Sequence, residues 1–159
     1  MIVLSLVGLF VLAVQEALNV GIGVTHASDE REEIRLQLAN ALEQLTREAS
    51  LASNVDNAED QRLQFDADLD GNGSTEGNIN YEVQSGDLNR VYSGETVTLA
   101  RDLSALDFNY TDLNGSSVST PAGSQPIRDS IRVVQITMTA TKHDETISLS
   151  SAVFLRNNS

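Results

Sequence analysis

The sequence predicts an α+β fold in which one long N-terminal helix packs on an antiparallel β-sheet. Three observations carry this. Met1–Val14 is uncharged and mostly apolar, and Glu16 is the only formally charged side chain before Asp29. From Asp29 onward charges come densely, and Ile34, Leu38, Ala41, Leu42, Leu45, Ala49 and Ala52 recur at the i, i+3, i+4, i+7 spacing of an amphipathic helix. After "SNVDNAED" the period drops to two, the signature of strands with one buried and one wet face.

No proline occurs before Pro121, so nothing forces a break between the apolar and amphipathic segments. Gly21 and Gly23 only loosen the junction. Residues 1–52 therefore read as one helix, apolar all round in its first half and on one stripe in its second. At 1.5 Å per residue it would reach ~78 Å. The strand segments follow as "RLQFDAD", "NINYEVQ", "DLNRVYS", "TVTLARDL", "ALDFNYTD", "SIRVVQITMTATK" and "TISLSSAVFLRN". Turns separate them at "DLDGNG", "QSGD", "YSGE", "DLNGSS" and "TKHDE". The last two strands make the clearest hairpin, with Val134, Ile136, Met138 and Ala140 alternating opposite Ile147, Leu149, Ser151, Val153 and Leu155. "STPAGSQP", residues 119–126, reads as a loop. Two parts result: an apolar anchoring and polymerising half-helix over 1–27, and a globular domain over 28–159.

Composition narrows the function. A formal charge of -13 disfavours nucleic acid, whose phosphates need Lys and Arg, and anionic lipid surfaces as well. The absence of cysteine removes disulfides, thiolate catalysis and Cys-bound metals. No phosphate-cradling glycine loop, His-Glu pair at helical spacing or serine elbow occurs, so no enzyme activity is expected. A hydrolase using carboxylates of the acidic hairpin would need a closed cleft, and none is foreseen. His26 and His143 are far apart in sequence, at a helix exit and a hairpin turn, and neither is read as a metal ligand or a base.

Several stretches resemble the type IV pilin-like family, in its minor pilin and J-type pseudopilin branch. They are "LTREAS", "RLQFDADLDGNGSTEGNINYEV", "GDLNRVYSGETVTLARDLSALDFNYTDLNG" and "IRVVQITMTAT…ISLSSAVFLRN", in that order behind an apolar segment. The resemblance implies a pilin-like fold and a non-catalytic structural subunit of a type IV pilus or type II secretion pseudopilus. Such a subunit waits in the bacterial inner membrane as a single-pass protein. It then joins an extracellular or periplasmic filament, and its partners are other pilin or pseudopilin subunits. The family's leader peptide and early glutamate are not matched: Ser5 stands where that glutamate would be if Met1 were the mature start. Aligning "LTREAS" with the family pattern puts Met1 some residues inside the mature protein, and the restored apolar run then reaches the ~20 residues that span a bilayer. In this reading leader cleavage and N-terminal methylation belong to the longer product, and Glu16 marks the membrane exit. The competing reading takes residues 1–27 as a signal peptide, cut before Ser28, releasing a secreted or periplasmic Ca²⁺-dependent binding module. It lacks the positive n-region that such signals carry.

The sharpest local motif is "DADLDGNGSTEG". Asp66, Asp68 and Asp70 alternate, and with the Asn72 carbonyl and Ser74 they occupy positions 1, 3, 5, 7 and 9 of an EF-hand-type Ca²⁺ loop, with Gly71 at position 6. Glu76 falls at position 11 and not 12, and the loop joins two strands. The same residues make an ordinary polar hairpin turn. Nine acids between Asp56 and Asp87, against Arg62 alone, would make a cation useful there. "DLNGSS", residues 112–117, reads as a plain turn. Asn-x-Ser/Thr sequons begin at Asn72, Asn109 and Asn114 and are compatible with surface glycosylation.

Overall fold

Residues 31–50 form helix α1 in the computed structural model, which describes residues 31–142 and 145–156. The expected stripe is the buried one: Leu38, Ala41, Leu42, Leu45 and Ala49 are all enclosed. Glu48 lies on the same stripe and is buried with them. The helix stops at Leu51, whose N–H reaches the Glu48 carbonyl at 3.0 Å in a closing turn.

The chain then runs as strands. Five form one sheet in the order β1-β2-β3-β4-β5. They are β1 (Ala52–Ala58), β2 (Arg62–Ala67), β3 (Glu76–Gln84), β4 (Asp87–Tyr92) and β5 (Glu95–Ala100). Four form a second sheet in the order β7-β6-β8-β9. They are β6 (Leu103–Asp112), β7 (Ser117–Val118), β8 (Ile131–Lys142) and β9 (Glu145–Phe154). A short helix, α2 (Gln125–Asp129), sits between β7 and β8, with a proline in its first turn. Every strand pairing is antiparallel, so adjacent strands need only short turns.

Each sheet buries one face. Phe65 and Tyr81 stack with ring centroids 6.1 Å apart on β2 and β3, and Phe108 stacks on Tyr110 at 6.4 Å on β6. Val134, Ile136, Met138 and Ala140 of β8 are buried as their alternation predicts. The sheets are tied together by backbone hydrogen bonds: the Phe108 N–H to the Asp60 carbonyl, and the Leu103 N–H to the Gly86 carbonyl, both 2.8 Å. The Tyr110 hydroxyl donates to the Glu59 carbonyl at 2.9 Å. Strands β5 and β9 end their sheets, and the part of α1 from Gln37 onward borders both. Gln37 lines one recess together with Thr98–Arg101, and Leu42 and Thr46 line another together with Leu149–Ser151.

This architecture corrects the expected fold class. A long pilin-like helix, apolar in its first half and amphipathic in its second, packed on one antiparallel sheet, is not what the described residues form. More than half of them are strand, in two sheets, with one helix of about 20 residues. Among the described residues no helix is long and apolar enough to cross a membrane. The physical reason is that period-two alternation tells which side of a strand is buried but not which sheet it joins. The end of the helix was also displaced. Ala52, read as the last helical apolar position, opens β1 instead. The apolar segment 1–27, with Glu16 and His26, lies outside the described residues, as does His143. The chain divides into two units, Met1–Leu36 and Gln37–Ser159, and both sheets belong to the second.

Candidate metal-binding loop

The loop between β2 and β3 is built by its own side chains. The Asp68 carboxylate accepts the N–H of Gly71 at 2.8 Å on one oxygen and that of Gly73 at 2.9 Å on the other. Asp70 accepts the N–H of Asn72 at 3.0 Å and its side-chain amide at 2.7 Å. The Asn72 side-chain oxygen takes the N–H of Ser74 at 2.6 Å. Glu76 reaches back to the N–H of Leu69 at 2.7 Å. Gly71 and Gly73 have φ of 73° and 84°, the left-handed region that glycine enters without a Cβ penalty.

This folding gathers three of the expected ligands. Carboxylate oxygens of Asp68, Asp70 and Glu76 lie within 4.8 Å of one another, the one such trio of acidic, His or Cys groups among the described residues. Each pair repels by roughly 1 kcal/mol at the dielectric of bulk water. The donors are hard oxygens, the kind that suits Ca²⁺. Each carboxylate keeps lone pairs beyond the N–H bonds it accepts. Chemically the loop is therefore both a self-sufficient Asx-rich turn and a set of ligands able to hold a hard cation.

Asp66 goes elsewhere. It sits on β2, where one oxygen accepts the Asn78 N–H at 2.9 Å and the other the Asn54 amide at 3.5 Å. The same Asn54 amide donates to Asp56 at 2.7 Å. Burial raises the Asp56 pKa, the charge of Asp66 and a hydrogen bond to it raise it further, and Arg128 and Asn54 oppose this in part. Asp66 thus belongs to a carboxylate pair on β1–β2 and not to the trio. Asn72 and Ser74 lie in the exposed loop, with Asn72 serving Asp70. The "DLNGSS" segment is a turn, closed by the Asp112 carboxylate on the N–H groups of Asn114 and Ser116, both at 2.8 Å.

Sequence reasoning overlooked one charged pair. Arg90 on β4 donates through Nε to both Glu48 oxygens, at 2.8 and 3.1 Å. Its guanidinium also lies 5.4 Å from the centroid of the Tyr92 ring. Burial pulls the Arg90 pKa down, but the hydrogen bond and charge of Glu48 outweigh it and leave it raised. The Tyr81 hydroxyl is buried without a hydrogen-bond partner among the described residues. Burial, then the charge and close approach of Glu48, raise its pKa, and Arg90 opposes this in part, so the hydroxyl lies beside the pair without reaching hydrogen-bond geometry. The signal was present in the sequence: position 48 continues the buried stripe 38, 41, 42, 45, and a glutamate there needs a cation. The sequence of the chain matches no protein-family model and no curated protein.

Proposed function

We propose that the chain is a structural subunit of a pilus-like or pseudopilus-like filament and has no catalytic activity. Residues 1–27 would hold it in the bacterial inner membrane before assembly and pack against other subunits afterwards. The domain of residues 37–159 would face the periplasm or the exterior. One observation carries the reading: in sequence, the uncharged apolar run Met1–Val14 precedes an amphipathic helix and a charged, β-rich domain. A surface apolar all round is unstable in water but stable in lipid or in a bundle of like segments. Moving it from one to the other exchanges one apolar surrounding for another, so extraction meets little hydrophobic opposition, and packing must supply specificity.

The acidic trio favours a second reading, a secreted or periplasmic Ca²⁺-binding module released from residues 1–27. Ca²⁺ at Asp68, Asp70 and Glu76 fits either reading, because the loop belongs to the same β-rich domain in both. The intact mass and N-terminal sequence of the protein from its native cells separate them. A mature chain that retains the apolar run, fractionates with membranes or filaments and carries an N-methylated first residue supports the filament subunit. A soluble mature chain that begins at Ser28 refutes it and leaves the binding module.

A further inference from the structure

The outer face of the second sheet differs chemically from the rest of the chain. Register places Thr137, Thr139 and Thr141 of β8 opposite Ser150, Ser148 and Thr146 of β9. Their hydroxyls pair across the strands, Thr139 with Ser148 at 3.1 Å and Thr141 with Thr146 at 3.2 Å. The row continues to Asn109, Gln135 and Ala152, then to Thr111, Val133 and Phe154. Asp107 is the sole ionisable side chain among these outward positions, on a chain with 23 acids and 10 bases.

Two features of this face point to a ligand. A recess of ≈ 360 Å³ opens on it, lined by Asn109, Thr111, Ser117, Thr120 and Gln135 among others. That volume lies near the lower end of small-ligand pockets, ~300–1,000 Å³. The carboxamides of Asn109 and Gln135 make no hydrogen bond to any described residue, as is also true of the exposed Asn40, Gln61, Gln84 and Asn114, but here two of them stand directly opposite each other in register at the recess. Each free carboxamide offers two donors and an acceptor. Beyond the recess stands Phe154, 75% exposed on β9, two strands or about 10 Å from β6. A large aromatic ring left in water on an otherwise hydroxylated face is unusual for a merely solvated sheet.

We propose that this face binds an uncharged polysaccharide, with one sugar unit in the recess and a neighbouring unit stacked on Phe154. Carboxamides and hydroxyls match the paired donor and acceptor character of sugar hydroxyls. The Phe154 ring matches the apolar C–H face of a pyranose. Charge selects the neutral polymer: the field of a chain at -13 repels uronates, sulfated glycans and phosphates. A second copy of this chain fits less well. Three strands over the length from Val133 to Thr141 give a plane of roughly 400 Å², about half of the ~800 Å² per partner in a stable interface. The proposal is independent of the filament reading, since residues 103–154 form this face in a filament or in a free module.

The test uses the full chain in a non-glycosidic detergent. Retention is measured on insoluble cellulose and chitin and in affinity gels carrying dextran or galactomannan, with alginate as the anionic control. Retention by at least one neutral polymer and not by alginate is expected. Phe154→Ala and Gln135→Ala, both exposed and therefore neutral for folding, should each weaken it about tenfold. Val97→Ala, exposed on β5 of the other sheet, should leave it unchanged. Retention by none of the neutral polymers, equal retention by alginate, or retention indifferent to both face variants would each overturn the proposal. So would face variants that change the oligomeric state and not the retention, because the face would then be a contact between copies.

Discussion

The Glu48–Arg90 pair makes a quantitative prediction because its two halves are unequally supported. Replacing Glu48 by Leu leaves the Arg90 guanidinium with its side chain only 15% exposed, though still near the Tyr92 ring. Breaking a buried pair from one side costs about 3–5 kcal/mol, and the remaining cation–π contact puts Glu48→Leu near the lower end, about 3 kcal/mol. Replacing Arg90 by Leu instead leaves a carboxylate whose side chain is 9% exposed, with the Gln44 amide at 3.1 Å as its hydrogen-bonded side-chain donor and the unpartnered Tyr81 hydroxyl nearby. That cost should be larger, about 4 kcal/mol. The double variant removes both charges and restores apolar contact, so it should return to within about 1 kcal/mol of the parent. The assay is urea unfolding of the full chain followed by tyrosine emission, which is clean because the chain holds three Tyr and no Trp. Two outcomes would refute the reasoning: single losses below about 1 kcal/mol that simply add in the double variant, or a strong salt dependence of the parent's stability at this pair. Either would mean that water screens the pair and that α1 is held by its apolar stripe alone.

Three further outcomes are expected. The Asp56 carboxyl has its folded pKa raised above the unfolded 3.8, so the native state holds the extra proton in the window just above 3.8. Stability from this group is therefore greatest below the window and falls as pH rises through it. Asp56→Asn should raise the melting temperature at pH 7 and lose that advantage near pH 3, as thermal unfolding across a pH series would show. Millimolar Ca²⁺ should raise the melting temperature of the parent, and Asp68→Asn should abolish most of that rise while Mg²⁺ produces less in either protein. A parent unmoved by Ca²⁺ would leave the loop as a turn. Tyr110→Phe deletes the hydroxyl that donates to the Glu59 carbonyl and should cost about 1 kcal/mol, read from the urea midpoint at constant slope.

What the sequence made legible follows from how local each signal is. Segments such as "DLNRVYS" and "SIRVVQITMTATK" became β4 and β8 because alternation, β-branched residues and flanking turn residues all agree within one short window. Strand β1 escaped notice for an equally physical reason. Its sequence, "ASNVDNA", is rich in Asn and Asp, and its buried residues Ala52, Val55 and Ala58 recur every third position, which looks helical. Register shifts between Ala52 and Asn54, and between Val55 and Asn57, reset the alternation and let a strand bury every third side chain. A bulge is set by the partner strand, so a single-strand pattern cannot announce it. Helix α2 was hidden in the same way: one turn beginning "QP" has too little length to show a period, and it is held by tertiary bonds. Arg128 donates to the Ala122 carbonyl at 3.0 Å and Gln125 to the Asn54 side chain at 2.9 Å.

The acidic hairpin shows the same limit at the level of chemistry. Spacing in "DADLDGNGSTEG" treats Asp66, Asp68 and Asp70 as equals, because each stands two residues from the next. In the fold they are not equals. Asp66 is still on β2, in the ladder, and its register opposite Asn54 commits it to β1. Asp68 and Asp70 lie past the strand end, where positive φ at Gly71 and Gly73 curls the backbone and turns their carboxylates toward Glu76. The strand boundary, not the motif spacing, therefore decides which acids converge. It also separates their roles under perturbation. Neutralising Asp66 should change the coupling to Asp56 and the pH profile, whereas neutralising Asp68 should change the response to Ca²⁺. Two aspartates separated by a single alanine, one on the strand and one in the turn after it, are thus distinguishable by two different assays.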